Sequence, residues 1–474
     1  MLHPFQNKPK ALFTCVLLLT GCAVGPDYHR PDTISLDQYH IPEGWTLATP
    51  QDDHIPSNWW ALYNDPKLNE LENKVAQSNQ TLAQKEATYR QSLAVIQATQ
   101  AGLFPILNLD TNVNRSKFSG GSINFASGII FNTYSASMQA SWTPDLWGSV
   151  RRSIEANEAT ADSDMALVAA TLLSLQSQLA VDYFQLRSDD SQIKMLTDTV
   201  AADQKYLELT QDRYTSGVAA LTDVLLAKSQ LKIAQSQLVD VGVNRAQMEH
   251  GVAVLIGQSA SHFHLPFFPL PEIPLIPKPP LGLSSNLLQR RPDIASAERG
   301  AAAASAQIGV AQAAFFPTFS ITGNDGFQSS RYQQLLTQPN GTWGITPDIL
   351  QPLFDAGLRQ ANKAQAIAAY DQAVANYREL VIEALQNVED NLSAQSILTN
   401  ELVFQDEAVK ASQETLDLTV DQYQEGIVNY LIVATAQATL LTAQVNEINV
   451  RARQLIASIQ LMEALGGGWE VQLK

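Results

Sequence analysis

The 474-residue sequence predicts a mainly α-helical fold with a small β part, one plan written twice along the chain. Three observations carry this expectation. Residues 151–213 contain neither Pro nor Gly, and a helix of that length would run ~95 Å at ~1.5 Å per residue. Two pairs of short segments alternate apolar and polar side chains. Finally, Leu207 to Gln235 can be laid on Leu416 to Gln444, 209 positions on, with eleven of 29 residues identical, among them Tyr214/Tyr423, Gly217/Gly426, Ala227/Ala436 and Leu231/Leu440. Further upstream the offset is 212, as in Glu86/Glu298, Gln100/Gln312, Phe104/Phe316 and Pro105/Pro317. Gly148 and Gly357 already obey the shorter spacing, which places the three-residue deletion just before them. Matched Gly and Pro punctuation separates a true repeat from chance likeness between Ala/Gln-rich helices.

The chain opens with a weakly basic start (His3, Lys8, Lys10), an apolar run from Ala11 to Leu19, and Leu19-Thr20-Gly21-Cys22. The run is too short to span a bilayer as a stable helix, and residues 1–21 read as a secretory signal. Small residues before Cys22 resemble a bacterial lipoprotein box, so the mature chain is expected to begin at an acylated Cys22. More than one acyl chain is needed for stable anchoring. An ordinary signal peptide with a chance cysteine is the alternative. Ala23 stands where, in that resemblance, an Asp would retain the protein at the inner membrane, so the outer membrane is favoured.

Residues 22–65, with five prolines, read as an extended acylated tail. The first repeat spans 66–261: a helix over 66–102 ending near Pro105, two alternating segments, then two long helices broken at Gly217. Residues 262–283 form a proline-rich connector. The second repeat spans 284–465, with its first helix over 284–314, and 466–474 form a C-terminal tail. Within the long helices Leu231, Ala234, Leu238 and Val241 step by threes and fours, and Leu441, Ile448, Leu455 and Met462 recur every seven, the spacing of coiled-coil seams.

In the first alternating segment Leu107, Leu109, Thr111 and Val113 oppose Asn108, Asp110, Asn112 and Asn114. In the next, Tyr134, Ala136, Met138, Ala140 and Trp142 oppose Ser135, Ser137, Gln139 and Ser141. The second half repeats this more weakly, with Phe319 and Ile321, then Trp343, Ile345 and Ile349, as the apolar sets. Such segments match transmembrane barrel strands, and a half-buried soluble sheet gives the same alternation. The lipoprotein signal tips the reading towards the membrane. Four strands cannot close a barrel, and an open edge is forbidden in lipid, so several copies are expected to pool their strands.

Several function classes are excluded. A net charge of −17 with no basic stripe argues against nucleic acid. The sequence contains no HExxH, GxSxG, Walker or dinucleotide glycine pattern. His262 and His264 lie in the connector without further Cys or His nearby. No catalytic residue, metal site or cofactor is expected beyond the lipid on Cys22.

Five runs then resemble the outer-membrane factor family, in particular the lipoprotein branch of resistance-nodulation-division efflux systems. They are Gly25-Pro26-Asp27-Tyr28 with Pro31; Trp59-Trp60 followed by Asp65-Pro66-Lys67-Leu68; Leu287 to Ile294 (LLQRRPDI); Ala314-Phe315-Phe316-Pro317; and Ala464-Leu465-Gly466-Gly467-Gly468-Trp469. The resemblance covers nearly the whole chain. It implies a TolC-like homotrimer: four transmembrane β-strands per protomer pooled into one twelve-stranded barrel, and long coiled helices forming a periplasmic α-barrel closed at its inner end. It further implies a periplasmic adaptor protein gripping that end and an inner-membrane resistance-nodulation-division pump. The turns at Gly217-Val218 and Gly426-Ile427 become adaptor-contact candidates, although plain turn chemistry explains the glycines too. Related channels narrow with a Leu and an Asp one turn apart. The matching positions here are Leu431 and Thr435, so the carboxylate is missing and an apolar Leu431 ring, able to gate by dewetting, is what remains. Tyr423, beside the second turn, and Asp223, after the first, complete the gate candidates; ordinary seam packing is the alternative for Leu431.

The resulting expectation is a passive small-molecule conduit, not an enzyme, in the outer membrane. A protein-secretion channel of the same fold is the alternative, and a lipid-anchored coiled-coil scaffold without a pore is a third reading.

Overall fold

The structure is a computed structural model, and it describes residues 23–32, 57–117, 130–271, 276–277 and 291–469. The signal segment 1–21 and Cys22 lie outside the described residues, as do most of the tail and much of the connector.

The order of elements follows the repeat. The first half contains α1 (Pro66–Ser78), α2 (Gln80–Ala101), β1 (Ile106–Lys117), β2 (Ile130–Trp142), α3 (Ser149–Thr215) and α4 (Leu221–Leu255). The second contains α5 (Pro292–Ala313), β3 (Thr318–Ser329), β4 (Gly341–Leu350), α6 (Leu358–Gln424) and α7 (Tyr430–Ala464). Helices α3 and α6 both have 67 residues, and α4 and α7 both have 35. Their boundaries correspond at an offset of 209, whereas α2/α5 and β1/β3 correspond at 212. The three-residue deletion therefore falls after β3 and before Gly357. It is visible in the strands themselves, since β2 has 13 residues and β4 has 10.

Two elements depart from the sequence reading. Within the tail read as extended, Trp59–Tyr63 forms a 3-10 turn that buries Trp59, Trp60 and Tyr63, since three large rings gain more from packing than from an extended path over the surface. The helix expected over 66–102 is two helices, divided at Asn79. There the backbone is extended (φ −69°, ψ 126°), and the side chain caps α2 by accepting from the Leu82 N–H at 3.0 Å while donating to the Leu255 carbonyl at 2.8 Å. Asn is among the strongest N-caps, and nothing in helical periodicity distinguishes a capping Asn from a solvated one.

The chain divides into two compact units, one of Met1–Asp32, Thr88–Asp164 and Ala297–Tyr377, the other of Thr33–Ala87, Met165–Ser296 and Arg378–Lys474. The first holds a four-stranded antiparallel sheet in the order β1-β2-β3-β4. Its register pairs Leu107 with Ala140, Ala140 with Gly323, and Gly323 with Ile345; one pair further on, Leu109, Met138, Asp325 and Trp343 are aligned. Because side chains alternate with period two, this register gathers the apolar sets of all four strands on one face, with Asp325 as an acidic exception. The opposite face carries Asn108, Asp110, Gln139, Ser137, Thr322 and Thr346.

The described N-terminal residues are stapled to the same unit. Val24 N–H donates to the Trp147 carbonyl at 3.1 Å, Arg152 Nη2 to Asp27 Oδ1 at 2.9 Å, Tyr28 OH to Glu298 Oε1 at 2.7 Å, and Arg30 Nε to Tyr377 OH at 3.1 Å. Gly25 is required because a Cβ there would lie 2.4 Å from the Gly309 backbone. The Gly-Pro-Asp-Tyr run is thus a set of fastening points.

In the second unit Trp59, Leu68, Leu71 and Val75 are fully buried. Asp65 caps α1, accepting from Lys67 N and Leu68 N at 2.9 and 3.2 Å ahead of Pro66, as a Pro at the first helical position favours. Its other oxygen takes Arg187 Nη1 at 2.5 Å and Tyr183 OH at 2.9 Å. Arg187 in turn donates to the carbonyls of Phe268 and Pro269, and Arg245 binds Asp190 and the Leu265 carbonyl. The buried Arg187 and the half-buried Arg245 therefore hold the start of the connector against α3 and α4 by satisfying carbonyls that prolines leave without ladder partners.

Candidate functional site at the two helical turns

Both helix-to-helix turns lie in the second unit and share one backbone solution. After α3, Val218 N–H donates to the Arg213 carbonyl at 2.8 Å and Gly217 N–H to that of Tyr214 at 2.9 Å. After α6, Ile427 N–H donates to Gln422 at 2.9 Å and Gly426 N–H to Tyr423 at 3.0 Å. This is the Schellman arrangement, with glycine in the left-handed conformation closing the last turn. Gly217 has φ +75° and Gly426 +76°, and each is followed by a β-branched residue, Val218 or Ile427, that is 66% exposed. The adaptor-contact candidates thus form two matched apolar projections.

The side chains around the turns do not match. Tyr214 is 44% exposed, whereas its counterpart Tyr423 is 4% exposed. Arg213 lies over the Tyr423 ring, its Cζ 4.9 Å from the centroid, and donates from Nη1 to the Gln424 carbonyl at 2.7 Å. Tyr423 packs edge-on against Tyr430 with centroids 5.4 Å apart. Tyr430 OH donates to Gln437 Oε1 at 3.2 Å, and Gln437 Nε2 to Asp203 Oδ1 at 2.9 Å. Burial pushes the Asp203 carboxyl up to about 6 and raises the Tyr430 phenol well above its ordinary value. A cross-turn network results, running from Arg213 through Tyr423 and Tyr430 to Gln437 and Asp203 in the interior.

The gate candidates fall into two groups. Leu431, 56% exposed, and Thr435 stand one turn apart at the start of α7, and Thr435 Oγ1 donates back to the Leu431 carbonyl at 2.8 Å. Thr439, Thr415 and Thr419 likewise return their hydroxyls to helix carbonyls, so the groove they line between α6 and α7 presents methyl groups. Tyr423 belongs instead to the interior of the chain and fastens one turn to the other through Arg213. Asp223 lies in the first turn of α4, half-buried, where its charge complements the helix dipole.

Sequence reasoning missed Arg213, Asp203, Tyr430 and Gln437. A signal for them existed, because these are positions where the repeat breaks: Gln422, Ser412, Leu221 and Lys228 stand in the other copy. His262 and His264 contact Ser261 and Glu249 respectively, and no group of three or more potential metal ligands occurs among the described residues.

Comparison with known proteins identifies the architecture. The family model described as outer membrane efflux protein matches residues 71–258 and 283–467, one match per repeat. The chain belongs to the outer membrane efflux protein family. It is 30% identical over 471 residues to the probable efflux pump outer membrane protein TtgC of Pseudomonas putida, covering 98% of this chain and 96% of that one. It is 27% identical to the cation efflux system protein CusC of Escherichia coli, with 97% and 98% covered. Among solved structures, the outer-membrane channel OprN superposes with a TM-score of 0.86 at 27% identity, covering 94% of this chain and all of that one. The CmeC channel of Campylobacter jejuni gives 0.87 at 20% identity, with 96% of each chain covered, a likeness of fold. The protein is an outer-membrane efflux channel with a large periplasmic portion and a TolC-like fold.

Proposed function

We propose that the chain is one protomer of a homotrimeric, acyl-anchored passive conduit, joined through a periplasmic adaptor to an inner-membrane resistance-nodulation-division pump. One observation carries this reading: a sheet with one apolar face whose outer strands, β1 and β4, each pair on one side only. Free strand edges in hydrocarbon leave backbone groups unsatisfied at several kcal/mol each, and four strands are half of the smallest closed bacterial barrel. Closure then requires strands from further copies, β4 of one meeting β1 of the next.

Anchoring at Cys22 fits the fastening of the residues that follow it. Ala23 sits so close to Gly148 that a Cβ there would lie 2.7 Å away, which fixes the emerging chain beside the link from β2 to α3. At the turns, Val218 and Ile427 supply the adaptor with paired apolar contacts. Leu431 supplies the narrowing, since three Leu side chains around a threefold axis exclude water without any carboxylate. The relatives' names speak of efflux, which supports a transport role without catalysis and favours efflux over secretion.

Planar-bilayer recording combined with native mass spectrometry tests this. The expected result is a trimer with two or more acyl chains on Cys22 and a low basal conductance that rises clearly in Leu431→Ser and little in Thr435→Ala. A monomeric, non-conducting protein would remove the conduit; an unmodified Cys22 would remove only the anchor.

A further inference from the structure

A second feature lies beside the network and inside a single unit of the chain. A cleft of about 550 Å³ opens between α3 and the α6–α7 pair, with Pro269 and Leu270 at its edge. That is the size of ordinary small-molecule pockets. Its lining combines Met195, Tyr206, Leu416, Leu440 and Leu441 with polar groups that include Thr199, Gln413 and Gln444, so a bound molecule would meet apolar and polar surface in about equal measure. The edge is fixed, because Leu270 N–H donates to Ser191 Oγ at 2.9 Å.

The polar groups of this cleft are unevenly charged. Asp203 is only 5% exposed and Gln437 9%. Gln437 cannot turn away: its Nε2 donates to Asp203 Oδ1 while its Oε1 accepts from Tyr430 OH. Asp203 Oδ2 has no partner among the described residues, and no cation pairs with this carboxylate there. Asp198 adds a second acid at the rim, against the single ammonium of Lys194. A carboxylate taken out of water without a counter-charge is costly. An anionic ligand would raise that cost, and a neutral apolar one would leave it unrelieved. A compact cation carrying an apolar body satisfies both halves of the cleft, with the Tyr206 ring available for a cation–π contact.

We propose that this cleft is a binding site for a small organic cation with an aromatic or aliphatic body, and that Asp203 is its counter-ion. The site lies within one chain, so it does not depend on the trimer, the anchor or the adaptor.

Isothermal titration of the purified full-length protein in detergent with benzyltrimethylammonium tests it, with benzyl alcohol as the neutral probe and benzenesulfonate as the anionic one. Saturable binding of one cation per chain is expected, with both controls at least tenfold weaker. Asp203→Asn should weaken the cation at least tenfold while retaining the Gln437 hydrogen bond and the native elution volume. Leu441→Trp should abolish binding by filling the cleft, and Asp162→Asn, remote in sequence and outside the cleft, should leave it unchanged. Equal affinity of Asp203→Asn and the native protein, equal binding of the cation and benzyl alcohol, or no saturable cation binding would each overturn the assignment. Because Asp203→Asn is nearly isosteric, the decision stands on it even where Leu441→Trp fails to fold.

Discussion

The two helical turns are the same backbone serving two environments. Gly217 and Gly426 have the same dihedral angle to within a degree, the same hydrogen bonds close both helices, and Val218 and Ile427 project equally. Yet Tyr214 faces outward while Tyr423 is interior, because Arg213 reaches across from the first turn and has no equivalent in Gln422. A duplicated sequence retained its turn chemistry, which is local. It diverged in the side chains that join the copies, as Arg213 against Gln422 shows.

The largest effect expected from this difference is at the tyrosines. Tyr423→Ala should destabilise the protein by ~3–5 kcal/mol, as removal of a fully buried aromatic does, whereas Tyr214→Ala should stay within ~0.5 kcal/mol. Denaturant unfolding of the two variants measures this, and equal losses would show that burial does not distinguish the turns. Next comes the link itself. Arg213→Ala removes a charge-assisted hydrogen bond of ~1.5–3 kcal/mol, and amide exchange near Gln424 and Gly426 should accelerate accordingly. Gln422→Ala should leave exchange near Gly217 unchanged.

The glycines should sharpen the comparison from the other side. Gly217→Ala and Gly426→Ala should cost ~1–2 kcal/mol each and equally, since both penalties come from the left-handed backbone. Nothing crowds a Cβ at Gly217, and at Gly426 the Arg213 guanidinium lies at an ordinary 3.6 Å. A markedly larger loss at Gly426 would mean that the turn conformations are coupled through Arg213.

The smallest effect is electrostatic. Burial raises Asp203 to about 6 in the folded protein, so between its ordinary value and about 6 the folded state binds more protons than the unfolded one. Stability from this group is therefore present at low pH and declines as pH rises through about 6. Asp203→Asn should flatten that part of the stability profile, and Ser412→Ala, the equivalent site, should leave it as it was. A native profile level between pH 4 and 7 would contradict the assigned burial.

Much of this was legible in the residues. Pro-free and Gly-free stretches determined the long helices, period-two alternation determined the strands and which face of each is apolar, and the matched glycines determined both turns and the internal repeat. These are properties of neighbouring residues, set by backbone sterics and side-chain period. The break at Asn79 was not legible, because a capping side chain declares itself only through the N–H it meets and through the Leu255 carbonyl far along the chain. Nor were the Arg187 and Arg245 fastenings of the connector or the purpose of Gly25, each of which rests on a partner remote in sequence. By itself the sequence determined the elements, their duplication and the family resemblance. Only the tertiary structure decided that Tyr423 is interior while Tyr214 is not, and that Asp203 lines a cleft with no cation paired to it among the described residues. Burial and charge pairing are settled by what packs across from a residue, and here Arg213 over Tyr423 and Gln437 beside Asp203 lie more than two hundred residues away in the chain.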